Sequence, residues 1–330
     1  MSYAVSEESL ANLSSYWSDS RHNLNWDPVF VSPGWLQVWW QVFGSEAELF
    51  LRAVRQNDNI IGIAPLLVKE KTVAFVGSAD VCDYLDFIMA PGKERDFFNT
   101  MLDDLKEKGI NQLDLNPVRS DSTVLTQLAD IARDRGYEVT STSADISLEL
   151  DLPSTWDEYL AALTAKQRHE VRRKLRRLSE AGRVNYHFVE DRATVSDVMD
   201  SFLKMFTESR QDKAAFLTDQ RESFFRRLAD TMAEAGLLRL GVLELDNQPT
   251  AMIMCFDYND CMYLYNSGYD PEYNDLSAGL MSKVLAIQDS IQKGRKRFDF
   301  LKGAESYKYH LGGREVPIYR CQIKMGWHWR

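Results

Sequence analysis

The sequence has little cysteine, little histidine and no long apolar run. Its four cysteines, Cys82, Cys255, Cys261 and Cys321, form no C-x-x-C pair, which excludes the common thiol metal and redox motifs and makes buried free thiols the expected state. The five histidines, at 22, 169, 187, 310 and 328, show neither H-x-x-x-H nor H-E-x-x-H spacing, so no metal site is expected. The longest apolar run, "IIGIAPLLV", is far short of the roughly 20 residues that span a bilayer. "MSYAVSEESLANLSSYW" lacks the basic start and apolar stretch of a secretory signal, and a cytoplasmic chain without membrane insertion is expected. No G-x-G-x-x-G, P-loop or G-x-S-x-G elbow occurs, which removes the usual signatures of dinucleotide binding, P-loop chemistry and α/β hydrolysis.

What is present suffices for two folded domains: 330 residues, 45% apolar and 12% aromatic, in an ordinary range for soluble globular chains. A net charge of −10 argues against a general nucleic-acid binder. The charge is uneven, with 12 Lys/Arg against 23 Asp/Glu in residues 1–150 and 27 against 26 in residues 151–330. The cations crowd into "AKQRHEVRRKLRR", residues 165–177.

An internal duplication organises the chain. "NDNIIGIAPLLVKEKTVAFVGS" (57–78) aligns without gaps with "LDNQPTAMIMCFDYNDCMYLYN" (245–266), an offset of 188; each reads as a turn, two strand-like runs and a polar break between them. "EKGINQLDL" (107–115) matches "QKGRKRFDF" (292–300), an offset of 185. In both, a helical pattern ends at a C′-type glycine, Gly109 or Gly294, before a strand. The order strand, strand, strand, helix, strand predicts an α/β (α+β) fold of two tandem units, each a mostly antiparallel sheet flanked by helices. The units are expected over 1–150, with the C-terminal strand available to complete it, and 151–330, opening with a basic helix at about 164–181. Capping boxes at Thr155-x-x-Glu158 and Thr164-x-x-Gln167 start the helices at the junction. Val171, Leu175 and Leu178 form a narrow apolar seam, so Arg168, Arg172 and their cationic neighbours are either a solvated face or a phosphate-binding surface.

Two stretches carry candidate chemistry. Ahead of the second copy's helix, a strand ends near Asn266 and Ser267, and the helix opens on Leu276, Ser277, Ala278 and Gly279. Small residues at a helix start let a pyrophosphate reach free N–H groups; a serine-capped helix is the plainer alternative. After the final βαβ strand, "FDFLKGAESYKYHLGG" (298–313) crowds Asp299, Glu305, Tyr307, Lys308, Tyr309 and His310 behind one glycine. Structural duties for each remain open: Glu305 as a helix cap, Asp299 orienting a turn, the tyrosines as half-buried filler.

These residues resemble a family. "DPEYNDLSAGLMSKVLAIQDSIQKGRKRFDFLKG" looks like the acyl-coenzyme A loop, helix and strand of the GNAT acetyltransferase superfamily. "FLTDQRESFFRRLADTMAEAGLLRLGVLELDNQPTAMIMCFDYNDCMYLYNSGYDPEY" and "FDFLKGAESYKYHLGG" are similar to its CelD-like branch, associated with cellulose and exopolysaccharide synthesis. That branch is related to the FemAB peptidyltransferases, built from two tandem GNAT domains. "SPGWLQVWWQVFG", "DYLDFIMAPG" and "RHEVRRKLRRLSEAG" extend the resemblance to most of the chain. The usual phosphate loop, Q/R-x-x-G-x-G/A, is reduced here to Gly279, with Asp275 in place of a cation-friendly residue. "YKYHLGG" resembles the F-K-x-x-F-G patch of the FemAB branch and matches its lysine with Lys308.

The resemblance implies an N-acyltransferase using acetyl-CoA or another acyl-CoA, with no metal, and acting on an amino group of a sugar, nucleotide-sugar or cell-envelope precursor. Its alternatives are a FemAB-like enzyme using aminoacyl-tRNA, with the basic helix on RNA phosphates, and an inactive scaffold in polysaccharide synthesis. Transfer needs a base for the acceptor ammonium, for which Glu305 or His310 with a raised pKa is a candidate. It also needs a donor for the oxyanion, from Lys308 or the backbone near Asn266 and Ser267. Tyr265, Tyr307 or Tyr309 could protonate the leaving thiolate. In the first copy, Asp83, Tyr84 and Asp86 stand where the second has its helix-entry loop, and are read either as binding an amino or hydroxyl acceptor or equally as a surface turn.

Overall fold

The computed structural model describes residues 2–326; His328 lies outside them. The chain divides into two compact units, Met1–Ile146 with Val316–Arg330, and Ser147–Glu315.

The first unit carries β1 (Tyr3–Glu7), β2 (Glu48–Gln56), β3 (Asn59–Lys69), β4 (Thr72–Phe75), β5 (Ile88–Met89) and β6 (Gln112–Arg119), with α1 (Leu10–Ser18), α2 (Pro33–Phe43), α3 (Glu94–Glu107) and α4 (Ala129–Asp134). Its strands run in the order β1-β2-β3-β4-β6, and β5 pairs off β3. All these pairs are antiparallel except β4 with β6. Trp35 of α2, Phe75 of β4 and Phe97 and Phe98 of α3 are fully buried, each contributing on the order of 2 kcal/mol of apolar burial.

The boundary between the units falls inside β7 (Glu138–Asp151). The second unit continues with α5 (Trp156–Ala162), α6 (Ala165–Ala181), β8 (Val184–Val189), α7 (Arg192–Ser209), α8 (Gln211–Phe216), α9 (Asp219–Glu234), β9 (Leu238–Leu245), β10 (Gln248–Tyr258), β11 (Cys261–Tyr269), α10 (Ala278–Gln292), β12 (Arg297–Lys302) and α11 (Ser306–His310). Its sheet runs β7-β12-β11-β10-β9-β8, with β11 and β12 parallel and the described pairs otherwise antiparallel. Both capping boxes at the start of α5 and α6 form. The last strand, β13 (Arg314–Lys324), pairs antiparallel with β6.

The duplication is a duplication of topology. β2, β3, β4, α3 and β6 correspond to β9, β10, β11, α10 and β12, each ending in a parallel pair across a helix. Gly109 and Gly294 close their helices with φ of 73° and 71°, a conformation that costs glycine little. The first match needs one correction. β2 ends at Gln56 and β9 at Leu245, and β3 starts at Asn59 and β10 at Gln248, so the offset is 189 rather than 188. A shift of one residue exchanges the faces of a strand, so the structure, not the letter match, sets which side chains correspond. The four cysteines are buried and form no disulfide.

Candidate functional site

The second unit's sheet opens at one place. β11 and β12 pair only from Cys261–Tyr263 to Arg297–Asp299. Beyond that, β11 stays with β10 up to Tyr269 while β12 follows β7. Backbone groups along such a divergence need partners other than the ladder, and two lysines supply them. Lys213 Nζ on α8 donates to the Ser267 carbonyl of β11. Lys308 Nζ on α11 donates to the carbonyls of Leu301 (3.0 Å), Lys302 (2.6 Å) and Gly303 (3.0 Å), and pairs with Glu305 at 2.9 Å. β12 bends where Leu301 takes φ 61°, and buried Asp299 holds that bend by accepting the Leu301 N–H at 2.8 Å.

Beside this opening lies the start of α10. A 3-10 turn, Pro271–Leu276, runs into the helix through Ser277, whose φ is 55° and whose side chain makes no capping bond. The serine thus serves the backbone path rather than the cap. Leu280 and Met281 N–H both turn back to the Ser277 carbonyl, while the first N–H groups of any helix lack an intrahelical acceptor and carry its positive end. Gly279 keeps the helix start close against Tyr269, whose ring a Cβ would approach to 2.8 Å.

Ser277 and Gly279 line a cavity of about 280 Å³ into which Lys174 of α6, Arg210 and Lys213 at α8, and Lys283 of α10 also project. Among the described residues that line it there is no carboxylate, although Arg210 is paired with Asp212. Lys283 is 6% exposed; its Nζ donates to the Gly279 carbonyl at 2.7 Å and sits 5.1 Å from the centre of the Tyr307 ring. Burial first, then the charge of Lys213, lowers its pKa to about 7. Burial and the charge of Arg210 lower that of Lys213 to about 8. Cations so destabilised are stabilised again by an anion, which makes the cavity an anion site in waiting. The close approach of α7 to β11 at Gly268, where a Cβ would lie 2.4 Å from the Phe206 backbone nitrogen, brings α8 and its lysine to this position.

A second cavity, of about 410 Å³, shares Lys174 and Leu280 with the first. Val171, Leu280 and Leu311 give it apolar walls, and Gln167, Glu170 and His310 also line it.

The predicted residues therefore separate. Ser267, Ser277, Gly279 and Tyr307 line the cation-rich cavity and His310 the larger one, while Leu276 and buried Ala278 flank the helix start. Asn266 lies one residue from the Lys213-bound carbonyl. Lys308 is 2% exposed and committed to three carbonyls and Glu305, so its ammonium anchors the 301–303 turn rather than standing ready at a carbonyl carbon. The raised pKa expected of Glu305 is corrected: burial raises it, but the Lys308 hydrogen bond and charge prevail and hold the carboxyl below its ordinary value. Burial, with the Glu305 charge, raises the Tyr307 phenol far above the usual range, so this proton source is a weak acid. Tyr265 packs edge-on to Phe225 and is tilted against Phe256. The Tyr309 hydroxyl donates to Glu315 at 2.5 Å.

On α6, Arg168 bonds the carbonyls of Leu160, Ala161 and Leu163, closing the end of α5. Arg173 pairs with Glu170 and Arg176 with Glu180, so much of the basic run is internally engaged; Arg172 is exposed. In the first unit, β4 and β6 also diverge after two pairs, but its own chain fills the place: Leu85 N–H bonds the Pro117 carbonyl, and Val81, Cys82, Tyr84 and Phe87 are buried there. Tyr84 packs on Phe30 and under Arg119. Asp86 accepts from the Thr123 N–H and hydroxyl, with burial raising its pKa to about 6. Both side chains, candidates for meeting an acceptor, do structural work instead, and Asp83 is a half-buried neighbour. The sequence places Lys174 only within the basic run read as a solvated face or a phosphate surface, and gives no hint that Arg210 and Lys213 at α8 and Lys283 on α10 join it; the lone lysine in an apolar helix stripe at 283 was the signal available.

Residues 165–309, from α6 to α11, match the family model described as Acetyltransferase (GNAT) domain. No curated protein matches the chain. Among solved structures, FemX is similar over 96% of both chains, at 11% identity and a TM-score of 0.65. The C-terminal domain of a putative lysylphosphatidylglycerol synthetase from Agrobacterium fabrum is similar over 88% of this chain and 87% of its own, at 11% identity and TM-score 0.56. The structure of L-PGS from Bacillus licheniformis covers 89% and 92%, at 10% and 0.55. At such identities the likenesses speak for the fold. Residues 165–309 are thus matched as a GNAT-type acetyltransferase domain, and the chain that carries them is an acyltransferase.

Proposed function

We propose that the protein transfers an acyl group from acyl-coenzyme A to an amino group of a sugar, nucleotide-sugar or cell-envelope precursor, in the polysaccharide setting that its CelD-like segments suggest. The observation that carries this reading is the convergence of Lys174, Arg210, Lys213 and Lys283 on the start of α10. They supply, from α6, α8 and the second turn of α10 itself, the positive charge that the loop around Asp275 lacks, and the small residues Ser277 and Gly279 leave room for a pyrophosphate. The thioester carbonyl then enters the divergence of β11 and β12, and we assign the oxyanion to a backbone N–H near Asn266 and Ser267. Lys308 and Asp299 hold the β12 side of that opening in shape. With Glu305 engaged, His310 is the remaining predicted proton acceptor. Alignment of donor and acceptor supplies most of the acceleration. The test is amine-dependent release of coenzyme A thiol from acetyl-CoA across a panel of amino sugars and nucleotide-sugars. Product with none of them, despite donor binding, would sink the reading.

A second reading replaces the thioester with an aminoacyl-tRNA, and exposed Arg172 and Arg177 on α6 favour it. Binding of RNA there would weaken steeply with added salt.

A further inference from the structure

We propose that Lys283 is itself an acyl-accepting residue: a thioester seated in the cation-lined cavity without an amine acceptor passes its acyl group to the Lys283 ε-nitrogen. Only the source of the acyl group rests on the function proposed above; the nucleophile rests on its own geometry.

Lys283 stands one turn inside α10, and its bond to the Gly279 carbonyl fixes the nitrogen at the wall of the cavity that Ser277, Gly279 and Tyr307 share. A neutral amine held by one N–H keeps its lone pair for a bound carbonyl. The groups around it set its charge. Lys213 on α8 and Lys308 on α11 lower its pKa, in addition to burial, while Cys255 on β10 and Glu305 beside α11 raise it. Arg210, Lys174 on α6 and Tyr307 share the cavity. Titration near pH 7 leaves a large fraction of neutral amine, as activated lysine nucleophiles require. In the step, nitrogen attacks the carbonyl carbon and a C–N bond forms. The C–S bond breaks with its electron pair leaving on sulfur, and the proton lost by nitrogen ends on that thiolate. The products are an ε-N-acyl-lysine and a free thiol, with no other reactant. The amide removes one cation and fills the cavity, so the modification closes the site.

The experiment incubates the full chain with acetyl-CoA and, separately, with the small neutral thioester S-acetyl-N-acetylcysteamine, then maps acetyl groups by peptide mass spectrometry. Lys283 should be acetylated ahead of the exposed Lys166 and Lys204; with the neutral thioester the rate should rise with pH and level above about 7, and with acetyl-CoA, whose phosphates favour the charged amine, it should level at a higher pH. Lys283→Arg, and Lys283→Met should the arginine variant misfold, should leave only the background on exposed lysines. Labelling by the small thioester alone would uphold Lys283 as the nucleophile and overturn the coenzyme A reading. Acetyl groups spread over exposed lysines with Lys283 spared by both thioesters would overturn the proposal, as would a Lys283 rate with the neutral thioester still climbing at about pH 10, where ordinary lysines titrate.

Discussion

Lys213 and Lys283 are held where protonation is costly, and the sign of the consequence follows from linkage. Their folded pKa values, about 8 and about 7, lie below the ordinary value of 10.5. Below pH 7 both states carry the protons and the fold bears the full penalty. Between 7 and 10.5 the unfolded chain binds more protons, so stability rises with pH. Lys283→Met should therefore stabilise the protein near neutrality, by on the order of 3 kcal/mol, and the gain should shrink as pH approaches 10.5 in denaturant titrations. A gain independent of pH would mean Lys283 is not buried as a cation. Lys308 is held by packing of a different kind, its ammonium surrounded by three carbonyls and Glu305. Lys308→Met leaves these groups without their donor and should destabilise the fold by about 3 kcal/mol, measured as a shift of the urea midpoint.

At the scale of elements, two glycines separate packing from binding. At Gly268 a Cβ would meet backbone atoms of Met205 and Phe206, which cannot rotate away, so Gly268→Ala should cost about 2 kcal/mol as α7 is pushed off β11. At Gly279 the obstacle is the Tyr269 ring, a side chain that can yield toward the cavity. Gly279→Ala should leave the urea midpoint within about 1 kcal/mol but weaken coenzyme A binding about tenfold. Equal effects on stability at the two positions would contradict this division. The elements themselves were legible in the sequence: the strand runs, both capping boxes and the two C′ glycines. The register of the first repeat was not, since letters aligned across Asn57 and Leu245 cannot register the turn residues that the strand ends define.

At the scale of the whole molecule, an acidic chain of net charge −10 gathers a local positive field from three separate helices. Sequence distance hides such a cluster: Lys174, Lys213 and Lys283 become neighbours only through the packing of α6, α8 and α10 around one helix start. The predicted crowd behind Gly303 was recognised, but its division of labour was not, because the alternatives differ only in where Lys308 Nζ finds its acceptors. Likewise nothing in "SADVCDYLDF" announces that the first copy fills its own opening with Leu85 and Tyr84. Duplication conserved the frame and left one of the two openings lined with cations.

Calorimetric titration of the full chain with acetyl-CoA, at about pH 6.5 and about pH 9 on either side of the two lysine pKa values, tests the anion site most directly, in wild type and in the Lys213→Met/Lys283→Met variant. Wild type should bind with net proton uptake and lose at least about tenfold in affinity at the higher pH, and the variant should bind weakly at both. Absence of heat at either pH, or an affinity indifferent to both the pH and the substitutions, would contradict it.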